Sequence, residues 1–299
     1  MDIQRKNLVI KIRMNSKIII LIGLVIVSII LIEVIGPGLT RDIPQVENSN
    51  EEEIPNNKIK LFDENSLFEL STDPDHYLMI NGFKQWYNLD YDFLEENQEL
   101  YETFFPDHTK QNTVVIYSLF TATAYSDFGF YDYYLGNCDE SCLTVPLTTN
   151  LEPEMGLPGL KILNLLGYKF VKDTDVDKNP EILKNYDKVI LLHNEYVTQK
   201  EFDAITSHPN VIYLYPNALY AEIDVNYETN EIKLVRGHGY PEENIANGFD
   251  WEFDNTPLEY DIDCNNWEFY EIDNGWMLNC YPDRIFWRDA LFLQTIRDL

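Results

Sequence analysis

The stretch Val189–Asp224, VILLHNEYVTQKEFDAITSHPNVIYLYPNALYAEID, constrains this chain more than any other. An apolar run ends in His193-Asn194-Glu195-Tyr196, a helical pattern follows through Thr198–Ser207, and a second apolar run, Val211–Tyr215, ends in Pro216-Asn217. Strand, helix and strand in that order predict two parallel strands joined by a crossover helix. In an open α/β sheet the crevice beyond the carboxyl ends of the strands is where ligands sit, so both polar clusters fall where a site forms. His193 and Glu195 bring proton-transfer groups there, and Asn217 ends the neighbouring strand within reach. These three are the candidate catalytic residues.

The same alternation extends along the chain. Strands are predicted at Thr113–Phe120, Lys169–Lys172, Lys188–Leu192 and Val211–Tyr215, with helices at Leu157–Leu166 and Thr198–Ser207. Short apolar strands separated by helices predict an α/β fold with an open, mostly parallel, doubly wound sheet over residues 59–225. Residues 226–299 read as a β-rich extension packed on the same domain. It has a strand at Glu231–Val235, a hairpin signal at Asn274-Gly275 within the aromatic run Trp251–Tyr281, and a terminal amphipathic helix in Arg284–Leu299. Upstream, Asn88–Phe104 carries helix-like spacing at Leu89, Phe93, Leu100 and Phe104.

The N-terminus has a different character. Arg5, Lys6, Lys11, Arg13 and Lys17 precede Ile18–Ile32, an uncharged apolar run that Val34 and Ile35 extend. Residues 18–35 are just long enough to cross a bilayer of about 30 Å as one transmembrane helix. The run exceeds the roughly 7–15 residues of a cleaved signal peptide, and no Ala-x-Ala-like site follows it, so an uncleaved signal anchor is expected. The basic tail, residues 1–17, then stays cytoplasmic and the bulk of the chain is extracytoplasmic. Residues 36–58, rich in Pro, Asn and Glu, read as a flexible acidic tether. The membrane is thus an expected partner through this helix.

Acidic residues number 51 against 22 basic ones, for a net charge of −29. Such a surface excludes nucleic acid as a partner, since phosphate binding needs clustered positive charge. The four cysteines stand as Cys138 and Cys142, and Cys264 and Cys280. An even count in a segment expected outside the cytoplasm predicts two disulfides; Cys138–Cys142 with Cys264–Cys280 is the favoured pairing among three connectivities. Their spacing departs from the close C-x2-C pair of a zinc site.

Two further features have ordinary readings. Asp173, Asp175 and Asp177 alternate like the start of a calcium loop, but Lys178 and Lys184 occupy the positions of its glycine and its bidentate glutamate. Arg236, His238 and Tyr240 form a second histidine-bearing loop that nothing in the sequence brings to the first cluster. The tyrosine-rich segment from Tyr125 to Tyr134, directly after the first strand, suits either packing or the binding of a ligand or hard metal.

Three motifs in order carry a resemblance. Ala124-Tyr125-Ser126 with Phe128-Gly129 and Tyr134, then His193-Asn194-Glu195-Tyr196, then Asn217-Ala218-Leu219-Tyr220 cover about residues 112–225. This pattern resembles the C-terminal domain of the N,N-dimethylformamidase large (β) subunit family, a relative of the class I glutamine amidotransferase fold. Ser126, Phe128, Phe130, Val197 and Ala221 depart from that family's pattern. At the elbow where amidotransferases carry a catalytic cysteine, Tyr215-Pro216-Asn217 offers no thiol, which excludes thioester glutaminase chemistry. The resemblance implies amide hydrolysis at an iron, or a zinc, held by tyrosine and glutamate oxygens. Tyr196 lies in a matched motif and is the ligand position it supports; Tyr125 and Glu222 complete the candidate metal set by their strand-end positions. The expected function is a membrane-anchored, extracytoplasmic, amidotransferase-like hydrolase of carbon–nitrogen bonds, acting on a small amide. The alternative is a cell-surface binding domain that keeps the fold and takes a surface ligand without turnover. Members of that family work with a small subunit, and nothing in this sequence identifies one.

Overall fold

A computed structural model of the chain describes residues 58–147, 156–253 and 261–299. The basic tail, the expected membrane-spanning anchor and nearly all of the tether lie outside the described residues. The first described elements are short antiparallel strands, β1 (Ile59–Leu61), β2 (Phe68–Thr72), β3 (Tyr77–Ile80), β4 (Phe83–Trp86) and β5 (Asp90–Phe93), followed by a short helix, α1 (Gln98–Tyr101). β2 alternates, burying Phe68, Leu70 and Thr72, and pairs with β1 on one side and β5 on the other. β3 and β4 pair only with each other.

This region corrects the single helix expected over Asn88–Phe104. Its apolar spacing is also compatible with a strand: Asp90–Phe93 joins β2, and Asp90 is held by Lys161 at 2.9 Å and by Lys58. The chain then turns through Glu95–Asn97 into α1, where the buried Tyr101 hydroxyl donates to Leu67 O at 2.6 Å and accepts from Leu94 N at 2.9 Å. Long-range pairing and a satisfied phenol thus outweigh helical periodicity.

The central elements run β6 (Thr113–Tyr117), α2 (Leu119–Ala124), α3 (Phe130–Tyr134), β7 (Thr144–Pro146), α4 (Leu157–Leu165), β8 (Lys169–Lys172), α5 (Asp173–Lys178), β9 (Lys188–Leu191), β10 (Tyr196–Thr198), α6 (Gln199–Thr206) and β11 (Val211–Tyr213). They are followed by β12 (Ala221–Asn226), β13 (Glu231–Arg236), β14 (Phe269–Ile272), β15 (Gly275–Leu278) and α7 (Ala290–Asp298). The main sheet has the order β14-β15-β11-β9-β6-β8, parallel except for β14. Ranked along the chain, its parallel strands lie 2-1-3-4-5. One face buries Val115, Ile190, Ile212 and Leu278 under Ile162 of α4 and Phe292 and Ile296 of α7. The other buries Val114, Ile116, Val189, Leu191 and Met277 under Val176 of α5 and Ile205 of α6. Covering both faces explains why these strands read as unbroken apolar runs, each large buried side chain contributing roughly 1.5–3 kcal/mol. The capping box of Thr198 with Glu201 starts α6 where the sequence places it.

The expected architecture, an open, mostly parallel doubly wound sheet with a β-rich C-terminal extension packed on the same domain and preceded by a transmembrane helix, is corrected. Among the described residues no helix is long and apolar enough to cross a membrane. The chain forms a mixed α/β structure with four sheets, of which the six-stranded one fits the expected parallel sheet in part. The C-terminal residues enter the main sheet itself: β15 pairs in parallel with β11 and brings β14 with it. Gly275 permits this, because a Cβ there would lie 1.8 Å from Val211 O. A second sheet, β10-β12-β13-β7, takes the remaining strands and packs Tyr196, Ala221 and Ile223 against Phe120 and Phe130. The segment Val189–Asp224 therefore feeds two sheets. The cysteines pair as Cys138–Cys142 and Cys264–Cys280.

Candidate functional site

The order 2-1-3-4-5 reverses direction between β6 and β9, the switch point where sheets of this kind take ligands, and the segments that follow these strands meet there. After β6, α2 presents Thr121, whose Oγ1 accepts from the backbone nitrogens of Glu195 at 2.9 Å and Tyr196 at 3.1 Å. Asp173 caps the same helix from β8's end, taking Phe120 N–H at 2.6 Å. Tyr125, at the end of α2, donates its hydroxyl to Glu195 Oε2 at 2.8 Å and stacks on Tyr131 at 4.7 Å. Gly129 makes that return possible: any Cβ there would meet Ala124 O at 2.3 Å.

After β9, His193, Asn194 and Glu195 are buried to within 1%. His193 Nε2 lies 3.2 Å from Glu195 Oε2 and 3.0 Å from Asn217 Nδ2, serving as donor or acceptor according to its tautomer. Backbone bonds lock the two motifs together: Leu219 N–H donates to Asn194 O at 2.8 Å, and Tyr220 and Ala221 donate to Glu195 O at 2.8 and 3.0 Å. Glu195 Oε1 is taken by Nε2 of His238, whose ring stacks on Tyr196 at 5.4 Å. Gly237 lets this loop approach, since a Cβ there would come within 2.9 Å of Ala221. One carboxylate thus collects Tyr125, His193 and His238. Burial alone pushes its carboxyl up, but the charges and hydrogen bonds of His238 and His193 hold it down at about 2.

A second carboxyl is linked to His193 through Tyr215. Asp283 accepts Gly156 N–H at 2.9 Å and the Tyr215 hydroxyl at 3.1 Å, and the Tyr215 ring packs on His193 at 4.9 Å. Burial pushes the Asp283 carboxyl above the usual range, opposed by the Gly156 N–H and by positive charge on His193. Burial and the Glu195 charge also push the Tyr125 phenol well up. Among the described residues, both polar atoms of the Asn194 side chain and Oδ1 of Asn217 are buried without a hydrogen-bond partner. Unpaired amide groups of this kind are costly unless something completes them.

No known family profile matches the chain, and no curated protein is significantly similar to it.

Of the sequence-nominated residues, His193, Glu195, Asn217, Tyr125 and Tyr196 lie together. Glu222 does not join them. It pairs with Val197 in the β10–β12 ladder, while Tyr196 pairs with Ala221, so strand alternation puts Glu222 on the opposite sheet face beside Arg236 and Asp224. His238, Asp283, Thr121 and Asn194 were not nominated. Glycines flanking His238 marked a close approach, without indicating to what.

The ligand set that the resemblance implies for iron or zinc requires ionised phenols and a free carboxylate. Here both Glu195 oxygens are engaged by donors, Tyr125 is a donor whose ionisation is disfavoured, and Glu222 points away. The residues as arranged do not fit the metal that the resemblance implies. Among the described residues no group of three or more His, Cys, Asp or Glu side chains has the arrangement of a metal site.

Proposed function

We propose that the switch-point crevice is an acid–base site for hydrolysis of a carbon–nitrogen bond of the amide type. The observation that carries this reading is His193 beside Glu195, whose carboxyl is pushed down, and packed on Tyr215, which donates to Asp283, whose carboxyl is pushed up. Such a pair divides the roles of base and acid at one pH. In its neutral form the imidazole of His193, oriented by Glu195, takes a proton from water as the water oxygen bonds to the substrate carbonyl carbon. Protonated Asp283 gives its proton to the leaving nitrogen as the C–N bond breaks, leaving a carboxylic acid and an amine. The unpaired Asn194 amide and Asn217 Oδ1 match the donor and acceptor of an amide substrate. Both cysteine pairs are oxidised and there is no free cysteine, so no thiol serves as nucleophile; the disulfides also support an extracytoplasmic setting.

The test is turnover of a panel of primary and N-alkylated amides by the full, oxidised chain. Glu195→Gln and Asp283→Asn are each expected to lower kcat about 10²–10⁴-fold while the fold is retained. A second reading, a binding domain without turnover, is favoured by how deeply His193 and Glu195 are buried, at 1% and 0% exposure. Saturable amide binding with no turnover in the wild type would sink the hydrolase and leave that reading.

A further inference from the structure

We infer that the β3–β4 hairpin is a membrane-surface wedge whose tip enters the apolar layer of a zwitterionic phospholipid bilayer. The hairpin pairs with no other strand, and its Asn81-Gly82 turn holds both residues at positive φ, 51° and 82°. An isolated two-stranded hairpin is marginal in water, yet this one exposes apolar residues on both strands beside its turn, with Met79 60% and Phe83 78% exposed. The register puts them on different faces. Met79 shares one face with Lys84, Tyr77 and Trp86, whereas Ile80 and Phe83, paired at the tip, share the other. A hairpin that docks on a protein surface needs one apolar face; exposed apolar side chains on both faces beside the turn suit contact with an apolar medium.

The residues below the tip have the chemistry of a bilayer interface. Tyr77 and Trp86 pair edge-on at 5.3 Å, and the Lys84 ammonium lies 3.8 Å over the tyrosine ring and 5.0 Å from the tryptophan. Aromatic rings with a polar handle and a lysine that snorkels past them occupy the headgroup level. The net charge of −29 disfavours anionic lipid, which selects a zwitterionic surface.

The experiment uses the full chain with phosphatidylcholine vesicles whose acyl chains are brominated. Tryptophan is introduced as Phe83→Trp at the tip, and as Phe128→Trp at an exposed position elsewhere. Phe83→Trp is expected to lose most of its added emission to the bromines and to shift to the blue, while Phe128→Trp keeps its emission. Met79→Trp repeats the measurement from the facing strand, so a folding defect in one variant does not decide the outcome. Equal emission of tip and control on brominated and ordinary vesicles overturns the inference. So does a tip shielded from a water-soluble quencher in lipid-free protein that sediments as a dimer, because the hairpin then meets a second copy of the chain.

Discussion

Thr121 Oγ1 sits within hydrogen-bond reach of two consecutive backbone nitrogens, Glu195 at 2.9 Å and Tyr196 at 3.1 Å. A single hydroxyl on α2 thus fixes where the β9–β10 connection turns and where the Glu195 carboxylate points. Thr121→Val keeps the shape and removes the acceptor, leaving two buried N–H groups unpaired. The expected loss is roughly 1–3 kcal/mol in urea denaturation, with Thr121→Ser retaining most of the stability. Equal loss in both variants would mean that packing of the methyl group matters and the hydrogen bonds do not.

The pH dependence follows from buried carboxyls of opposite tendency. Burial pushes Asp173 from 3.8 up to about 8, against the backbone N–H groups of Phe120, Thr174 and Leu119. Burial, followed by the charge of Asp173, pushes Glu201 well above its ordinary 4.5. Both hold protons in the folded state that the unfolded chain has already released, so stability falls as pH rises from about 4 towards about 8. Glu195, held at about 2, behaves in the reverse sense: its contribution is present above 4.5 and lost as pH falls towards 2. Maximum stability is therefore expected on the acidic side of neutrality, near pH 5 on the order of these values. The urea midpoint should drop between about pH 5 and pH 8 in the wild type, and drop less in Asp173→Asn. Burial also lowers Lys188 to about 8, which adds stability only above that pH and leaves the tested window clear. A midpoint that rises across this window contradicts the assignment.

What the sequence reveals and what it hides divide along a physical line. The parallel strands were legible because a strand covered on both faces has nowhere to place a polar residue, as in Lys188–Leu191 beyond its first position. His193, Glu195 and Asn217 were legible because they end such strands. β5 was hidden because Leu89, Phe93 and Leu100 suit a helical period as well as a strand, and only pairing with β2 decides between them. His238 and Asp283 were hidden for a related reason. The first reaches Glu195 across 43 residues through the second sheet, and the second meets Tyr215 across 68, distances over which local pattern carries no information. Glu222 was misplaced because its nomination used strand-end position without the ladder register that sets its face.

The two disulfides contribute unequally. Cys264 and Cys280 are 1% and 0% exposed in the core under α7 and close a separation of 16 residues. Cys138 and Cys142 close a separation of only 4. Chain-entropy arguments give about 3 kcal/mol for the longer loop and about 2 kcal/mol for the shorter. Replacing Cys264 and Cys280 together by serine also places two hydroxyls in an apolar core, so its loss should exceed that of the Cys138/Cys142 double serine variant in the same urea experiment. The reverse ranking would mean that the long loop retains its structure when reduced.

The attachment of the hairpin β14–β15 to the main sheet rests on Gly275. Its backbone runs so close to β11 that a Cβ would lie 1.8 Å from Val211 O and 2.7 Å from Val211 N and C, all of them backbone atoms that cannot rotate aside. Gly275→Ala must therefore break the β11–β15 ladder at its first pair, which also frees Val211 N from its bond to Asn274 O at 2.9 Å. Detaching this edge exposes Met277 and Leu278, both buried now, at a cost of roughly 1.5–3 kcal/mol each. Gly167 is the control: it has φ +82° with nothing within 4 Å of its would-be Cβ, so Gly167→Ala meets only backbone strain of about 1–2 kcal/mol. Hydrogen exchange should show amides of β14 and β15 losing protection in Gly275→Ala while those of β6 and β9 keep theirs. Uniform loss across the sheet would show instead that the C-terminal strands are indispensable to the whole fold.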